Sequence, residues 1–423
     1  MLDRAPVIAR PTGAPLTPAP GTPRQALTTA RLGPNWFTSV MGTGIVATSS
    51  AGLPVHVPGV RAAATVVWLT AASLLVVLVV ATARHWSHHR AAARRHHLDP
   101  FMAHFYGAPP MAMLTVGAGA VLLGPPLLGD RAALVVGATL WTLGTLAGLA
   151  SAVAIPVLQL TRHAVGEQDA FAGWLMPVVP PLVSAATGAL LLPHVPAGEA
   201  RLAFALTLGA LFGLSLLGSA LILPLVWARL VRHGPGAPTL VPTLWLVLGP
   251  LGQSATAALA LAGVTHLVAG PGTAHVVEVL AVLYAVPTLG FAALWAAWAL
   301  TVTVRTARAG MPFALTWWAF TFPVGTCVTG LSGLAVHTGS RVVAVAAVGA
   351  WAGLVGAWAT VGVRTARGAL VTRELLAPPQ PAPAPVPAQS RAYRDTNADR
   401  IRGGAHTSAR ATPASTCACS SGS

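Results

Sequence analysis

The chain has 423 residues, 54% of them hydrophobic and only 8% charged, with a formal net charge of +15. Soluble globular proteins carry about 25% charged residues, so this composition excludes a surface built to face water. A charge of +15 would suggest nucleic acid in a soluble protein, but the placement of the arginines speaks against that partner.

Residues 1–32 mix Pro, Thr, Ala and Arg without an apolar h-region. They read as a disordered cytoplasmic tail and not as a cleaved signal. Long apolar runs follow, of which "AAATVVWLTAASLLVVLVVATA" at 62–83 is the plainest. Runs beyond about 18 residues mark membrane helices. Ten are expected, at 36–53, 60–83, 103–124, 132–158, 171–192, 202–228, 240–263, 274–302, 312–336 and 341–363. The fold class is therefore all-α and polytopic, with one transmembrane domain over 33–366 in contact with the lipid bilayer. Residues 367–423 include "APPQPAPAPVPAQ" and end in Ser, Thr, Arg and Gly, a second disordered tail, too poor in hydrophobes for a core.

The chain has no lysine, and its 25 arginines are unevenly placed. Only Arg61, Arg131, Arg201 and Arg341 fall after an odd span; the other 21 precede the first span, follow even spans or lie in the last tail. By the positive-inside rule both termini face the cytoplasm and the protein sits in the cell membrane. Between the second and third spans, His85, His88, His89, His96, His97 and His104 alternate with arginines. With only Asp99 as another ligand type nearby, this reads as a basic surface for anionic lipid and not as a metal site. For His104, at the mouth of the third span, anion attraction, pH sensing and capping all remain open. Cys327 lies inside a span, while Cys417 and Cys419 lie in the tail; neither a disulfide scaffold nor a metal or other cofactor is expected.

Helix breakers are expected in the middle of every odd-numbered span. They are Gly42 and Gly44, Pro109 and Pro110, Pro177 with Pro180 and Pro181, Gly249 with Pro250, and Pro323. Gly42, Pro109, Pro177, Pro250 and Pro323 are separated by 67, 68, 73 and 73 residues. The chain thus reads as five repeated hairpins, each pairing a broken helix with a more regular one. Broken helices are tolerated in a membrane only inside protein or beside a water-filled cavity. Five of them gathered centrally predict a ring around a conduit, with Gly42, Thr43 and Gly44 small because their face lines it.

None of the ten acidic residues lies in an odd span. Cation pathways usually carry Asp or Glu, so a conduit of glycine N–H groups, hydroxyls and helix ends suits small anions. Gln253 has two readings, a donor into the pore or a partner for a carbonyl freed at Pro250. An intramembrane enzyme would need a catalytic carboxylate, a His pair or a metal cluster within the spans. A purely structural or sensory protein would not need five aligned breakers.

Four blocks carry a resemblance: "PNWFTSVMGTGIVA" from Pro34, "WLMPVVPPLVSAATGALL" from Trp174, "PTLWLVLGPLGQSA" from Pro242 and "WWAFTFPVG" from Trp317. Together they resemble the tellurite-resistance/dicarboxylate transporter family, which includes plant slow anion channels, yeast malate permeases and fungal sulfite-efflux pumps. The blocks at Pro34 and Trp174 are most similar to the sulfite-efflux and malate branch. The resemblance implies ten helices in a pseudo-fivefold ring, a homotrimer and an aromatic plug on the ninth helix. As cargo it implies sulfite or a C4-dicarboxylate such as malate, with halide or nitrate conduction and tellurite resistance as alternatives.

Helical phase ranks the candidate plugs. From Phe322 the stripe runs through Ala319, Thr326, Thr329, Gly330 and Gly333; from Phe320 it runs through Trp317, Val324, Cys327, Leu331 and Leu334. The small and polar stripe predicts the pore face, so Phe322 is the expected gate and Phe320 the fallback. Ser184, Thr326 and Thr329 are expected to line the pore with it.

Overall fold

The computed structural model describes residues 32–376, and the tails expected at both ends lie largely outside them. Among the described residues every regular element is helical. In chain order these are α1 (Phe37–Ala51), α2 (Val60–His88), α3 (Arg90–Leu98), α4 (Ala108–Leu123), α5 (Pro125–Leu128), α6 (Asp130–Thr161) and α7 (Pro180–Gly188). Then come α8 (Glu199–His233), α9 (Leu248–Val264), α10 (Pro271–Arg308), α11 (Phe322–Thr338) and α12 (Arg341–Ala366). Eight helical segments are long and apolar enough to cross a membrane. The chain is a polytopic helical membrane protein.

Consecutive helices pair as hairpins: α1 with α2, α4 with α6, α7 with α8, α9 with α10, and α11 with α12. The first members form a closed circuit, α1 against α4, α4 against α7, α7 against α9, α9 against α11, and α11 back against α1. Each second member covers a seam of that circuit. α2 touches α1 and α4, α6 touches α4 and α7, and so on to α12, which bridges α11 and α1. Burial follows the same division. Of the most apolar window, 61–72% is buried in the inner segments beginning at Met102, Val241 and Leu315, but 28% or less in the outer ones. The exposed faces of the outer helices carry Val66, Val76, Leu146, Leu221 and Leu283, side chains suited to lipid.

The inner segments are interrupted at their starts and not in their middles. A 3-10 turn precedes each α-helix, at Pro34–Trp36, Met102–Gly107, Ala172–Leu175, Val241–Val247 and Leu315–Phe320. Pro109 and Pro110, Pro180 and Pro181, and Pro323 stand at the first positions of α4, α7 and α11. There the missing N–H has no helical partner to lose, and the fixed φ suits a first turn. This corrects the expected mid-helix kinks. It corrects the first span most of all, because α1 runs unbroken through Gly42, Thr43 and Gly44. The helices α1 and α7, of 15 and 9 residues, fall short of a full crossing. Their irregular flanks are largely buried in the protein, the setting in which non-helical backbone survives at membrane depth.

Outer helices hold inner ones by polar contacts as well as by packing. The indole N–H of Trp68 donates to the Val116 carbonyl at 3.0 Å, that of Trp141 to Ser184 at 2.9 Å, and that of Trp295 to Leu244 at 2.9 Å. On α8 the Ser215 hydroxyl donates to the Val178 carbonyl. From α12, Trp351 and Trp358 reach Ser50 and Thr43 on α1, at 2.8 and 3.1 Å. At the end of the described chain the helical run continues through a π-turn, Arg367–Val371, so order extends past the expected edge at 366.

Candidate functional site

The five inner helices enclose a cavity of about 460 Å³. Each contributes to its wall: Ile45 and Thr48 from α1, Thr115 from α4, Val183 and Thr187 from α7, Gln253 and Thr256 from α9, Thr329, Ser332 and His337 from α11. No carboxylate and no arginine lines it. Most hydroxyls on the wall donate to their own helix: Thr48 to Gly44, Thr115 to Met111, Thr187 to Val183 and Thr256 to Gly252. Their hydrogens are thus engaged. Gln253 and Ser332, each 3% exposed, differ. The Ser332 hydroxyl has no hydrogen-bond partner among the described residues, and no hydrogen bond is formed there by the Gln253 amide. These two are the wall's available donors.

A constriction lies nearer the helix starts than the cavity does, and Phe322 lines it. Phe322, 2% exposed, shares this lining with Met41, Met111, Leu175, Leu246 and Gly249, so that every inner segment contributes to it. The remaining void is about 10 Å³, at or below the space that holds one water. Gly249 faces that void, with no atom within 4 Å of where a Cβ would stand. All five inner helices run from this constriction toward the open cavity. Met41 precedes Ile45 and Thr48, Met111 precedes Thr115, Val179 precedes Val183, Gly249 precedes Gln253, and Phe322 precedes Thr329. The starts of α4, α7, α9 and α11 therefore meet at the constriction, and with them the positive ends of four helices, while α1 contributes its second turn.

Phe320 lies elsewhere. It packs edge-on against Trp245 and Trp317, with centroids 5.6 and 5.7 Å away, and Arg364 stands 4.8 Å over the Trp317 ring.

The profile of the voltage-dependent anion channel family matches residues 31–366. The chain belongs to that family. It is similar to a sulfite efflux pump of Arthroderma otae, 27% identical over 302 residues, which are 70% of this chain and 80% of that one. A sulfite efflux pump of Trichophyton rubrum matches to the same extent. An uncharacterized transporter of Methanocaldococcus jannaschii is 25% identical over 301 residues, 70% of this chain and 81% of its own.

Within this anion-channel scaffold the sequence-predicted lining residues divide. Gln253 and Thr329 face the cavity, and Gly249 and Pro323 face the constriction. Others turn away from it. A Cβ on Gly42 would strike Trp318 and Thr321, and one on Gly44 would come within 2.8 Å of the Thr115 hydroxyl oxygen. Both glycines let helices approach. The Thr43 hydroxyl donates to the Ser39 carbonyl and accepts from Trp358. Ser184 donates to Pro180 and accepts from Thr145 at 2.9 Å, so it faces α6. Thr326 bonds the Pro323 carbonyl at 2.7 Å and packs on Gly252. Pro109, Pro110, Pro177, Pro180 and Pro181 shape helix starts away from the wall, and Pro250 borders a lateral pocket with Tyr284 and Phe291.

Sequence reasoning missed Ser332, Thr256 and His337. Ser332 stands ten positions after Phe322, about 80° off its phase at 3.6 residues per turn, so the stripe through Gly330 and Gly333 passed it by.

The histidine-rich region forms no metal-binding group among the described residues. His85 stacks on His96 at 5.5 Å, and His97 on Tyr106 at 4.5 Å. Burial lowers the pKa of both His96 and His97, and His96 is lowered further by its neighbours His85 and His97. His104 is buried between Phe171 and Trp174, not at an open mouth.

The wall assignment can be read chemically. In a chain whose three cysteines are replaced by alanine, Val336→Cys should react with a charged, membrane-impermeant thiol reagent. Cysteine at Ser184, or at Val76 on the lipid face, should not. Faster labelling at Ser184 than at Val336 would reverse the assignment.

Proposed function

We propose that this chain conducts small anions along the axis of its inner ring, past Phe322 as the gate, with sulfite and C4-dicarboxylates such as malate as cargo. The observation that carries the reading is that the starts of four inner helices, α4, α7, α9 and α11, meet at one aromatic constriction, beside a cavity wall without carboxylates. Helix starts present partial positive charge and attract anions without a fixed charge that would trap them. The Gln253 amide and the Ser332 hydroxyl offer hydrogen bonds on the approach. The arginine distribution supports cytoplasmic termini, an orientation in which the open cavity faces the outer side of the cell membrane. A homotrimer is proposed on the family resemblance, each protomer holding its own pathway.

The test is reconstitution in liposomes, with reversal potentials under a salt gradient and uptake of labelled sulfite and malate measured against chloride. Anion selectivity and faster sulfite or malate than chloride are expected. A reversal potential near the cation equilibrium value would overturn the reading, and chloride outrunning both would replace the cargo. Gln253→Leu removes one hydrogen bond to a charged ion and should slow anion flux about tenfold, with the melting temperature little changed. Unchanged flux would remove Gln253 from the pathway.

A further inference from the structure

The cavity wall ends at His337, in the last turn of α11, whose side chain is 13% exposed. Its Nδ1 lies 2.8 Å from Glu278 Oε1 on α10, and its Nε2 lies 3.1 Å from the Leu259 carbonyl oxygen on α9. Carboxylate and carbonyl oxygens both accept, and only a ring protonated on both nitrogens donates to both. The geometry therefore fits an imidazolium paired with a carboxylate. Both N–H groups are engaged, so His337 acts on a passing ion through its charge and not by binding it.

Little else charged surrounds the pair. The helices α1 and α9 contain no ionisable side chain. At this end of the neighbouring elements stand His266 just after α9, His275 on α10 and Arg341 at the start of α12, and none of them bonds to His337 or Glu278. Arg305, Arg308 and Arg364 lie at the opposite ends of α10 and α12. Among the described residues Glu278 is the one acidic side chain in an ion pair with a residue of the cavity wall. Unpaired, it would set a negative charge at the mouth of the pathway, which repels anions and admits cations.

We propose that His337 and Glu278 are a charge-cancelling pair that sets the anion selectivity of the mouth. Without the ring's charge, the bare carboxylate would screen anions out. The inference rests on the reading that the cavity conducts anions.

Vesicles carrying the full chain with Phe322→Ala provide the assay, with chloride as the probe. The chloride-to-cation permeability ratio of this parent should favour chloride. His337→Gln should lower the ratio roughly tenfold, the size of one uncompensated charge at a cleft. Glu278→Gln should keep the ratio high. The double variant should regain selectivity. A selective His337→Gln channel would overturn the pair. So would a double variant, present in normal amount, that stays as poor as His337→Gln, since that would mark a structural role for the ring. If Phe322→Ala itself passes no anion, the failure belongs to the proposed pathway and not to the pair.

Discussion

Phe322→Ala should raise anion flux by at least about tenfold, a barrier change of roughly 1.4 kcal/mol. The ring fills the place where all five inner segments meet, and only about 10 Å³ remains around it. Removing it lets water wet the narrowest point, and a dewetted constriction is a barrier of its own. Phe320→Ala should behave differently. Its ring contacts Trp245 and Trp317 off the axis, and losing two such aromatic pairs corresponds to about 1–3 kcal/mol of stability. Flux per folded molecule should stay unchanged. Both variants belong in the same vesicles, with protein amount and melting temperature recorded beside flux. Opening by Phe320→Ala and not by Phe322→Ala would invert the assignment, and no change in either would remove the aromatic gate.

Gly107→Ala should prevent normal folding. Gly107 ends the 3-10 turn before α4, and a Cβ there would overlap the Met176 carbonyl and approach Pro177 N to 3.0 Å. The obstacle is backbone, which cannot turn aside as a side chain can. Overpacking a tight core commonly destabilises by about 1–3 kcal/mol, and a clash with backbone should meet or exceed the upper end. The effect should reach function too, because Met111 and Met176 on either side of this contact border the constriction. Gly209 on α8 is the control. No atom lies within 4 Å of its would-be Cβ, and Gly209→Ala should be neutral or stabilise by about 0.5–1 kcal/mol. The readout is monodisperse yield and melting temperature in detergent. A Gly107→Ala protein that melts with the parent would show that this close approach is dispensable.

The hairpin repeat was legible in the sequence because proline marks helix starts as surely as helix breaks, and its spacing carries the period either way. What spacing alone does not distinguish is where along each segment the break falls. The 3-10 lead-ins reset helical phase before Ala108, Leu248 and Phe322. Phase counted within one helix therefore stays informative, as it does from Phe322 to Thr329. Composition misled at α1. Small and hydroxylated residues there read as a pore face, yet Gly42 and Gly44 serve close packing, and the cavity wall takes Ile45 and Thr48. A small residue makes room, and sequence does not say whether a helix or an ion fills it. The His337–Glu278 pair was invisible for another reason. Its partners sit 59 positions apart on separate helices, and only the closed ring brings them together.

That closure also sets an order of events during synthesis. The bonds from Trp351 to Ser50 and from Trp358 to Thr43 join residues 301 and 315 positions apart. Contacts of such separation form late, and a chain that emerges from its N-terminal end first must wait for them. Until α11 and α12 have entered the bilayer, α1 and α9 present unsealed flanks and the hydroxyl-bearing wall is an open cleft. A chain halted before residue 312 would hold four hairpins and a gap between α9 and α1. Only with the fifth hairpin does the nascent chain become a sealed barrel.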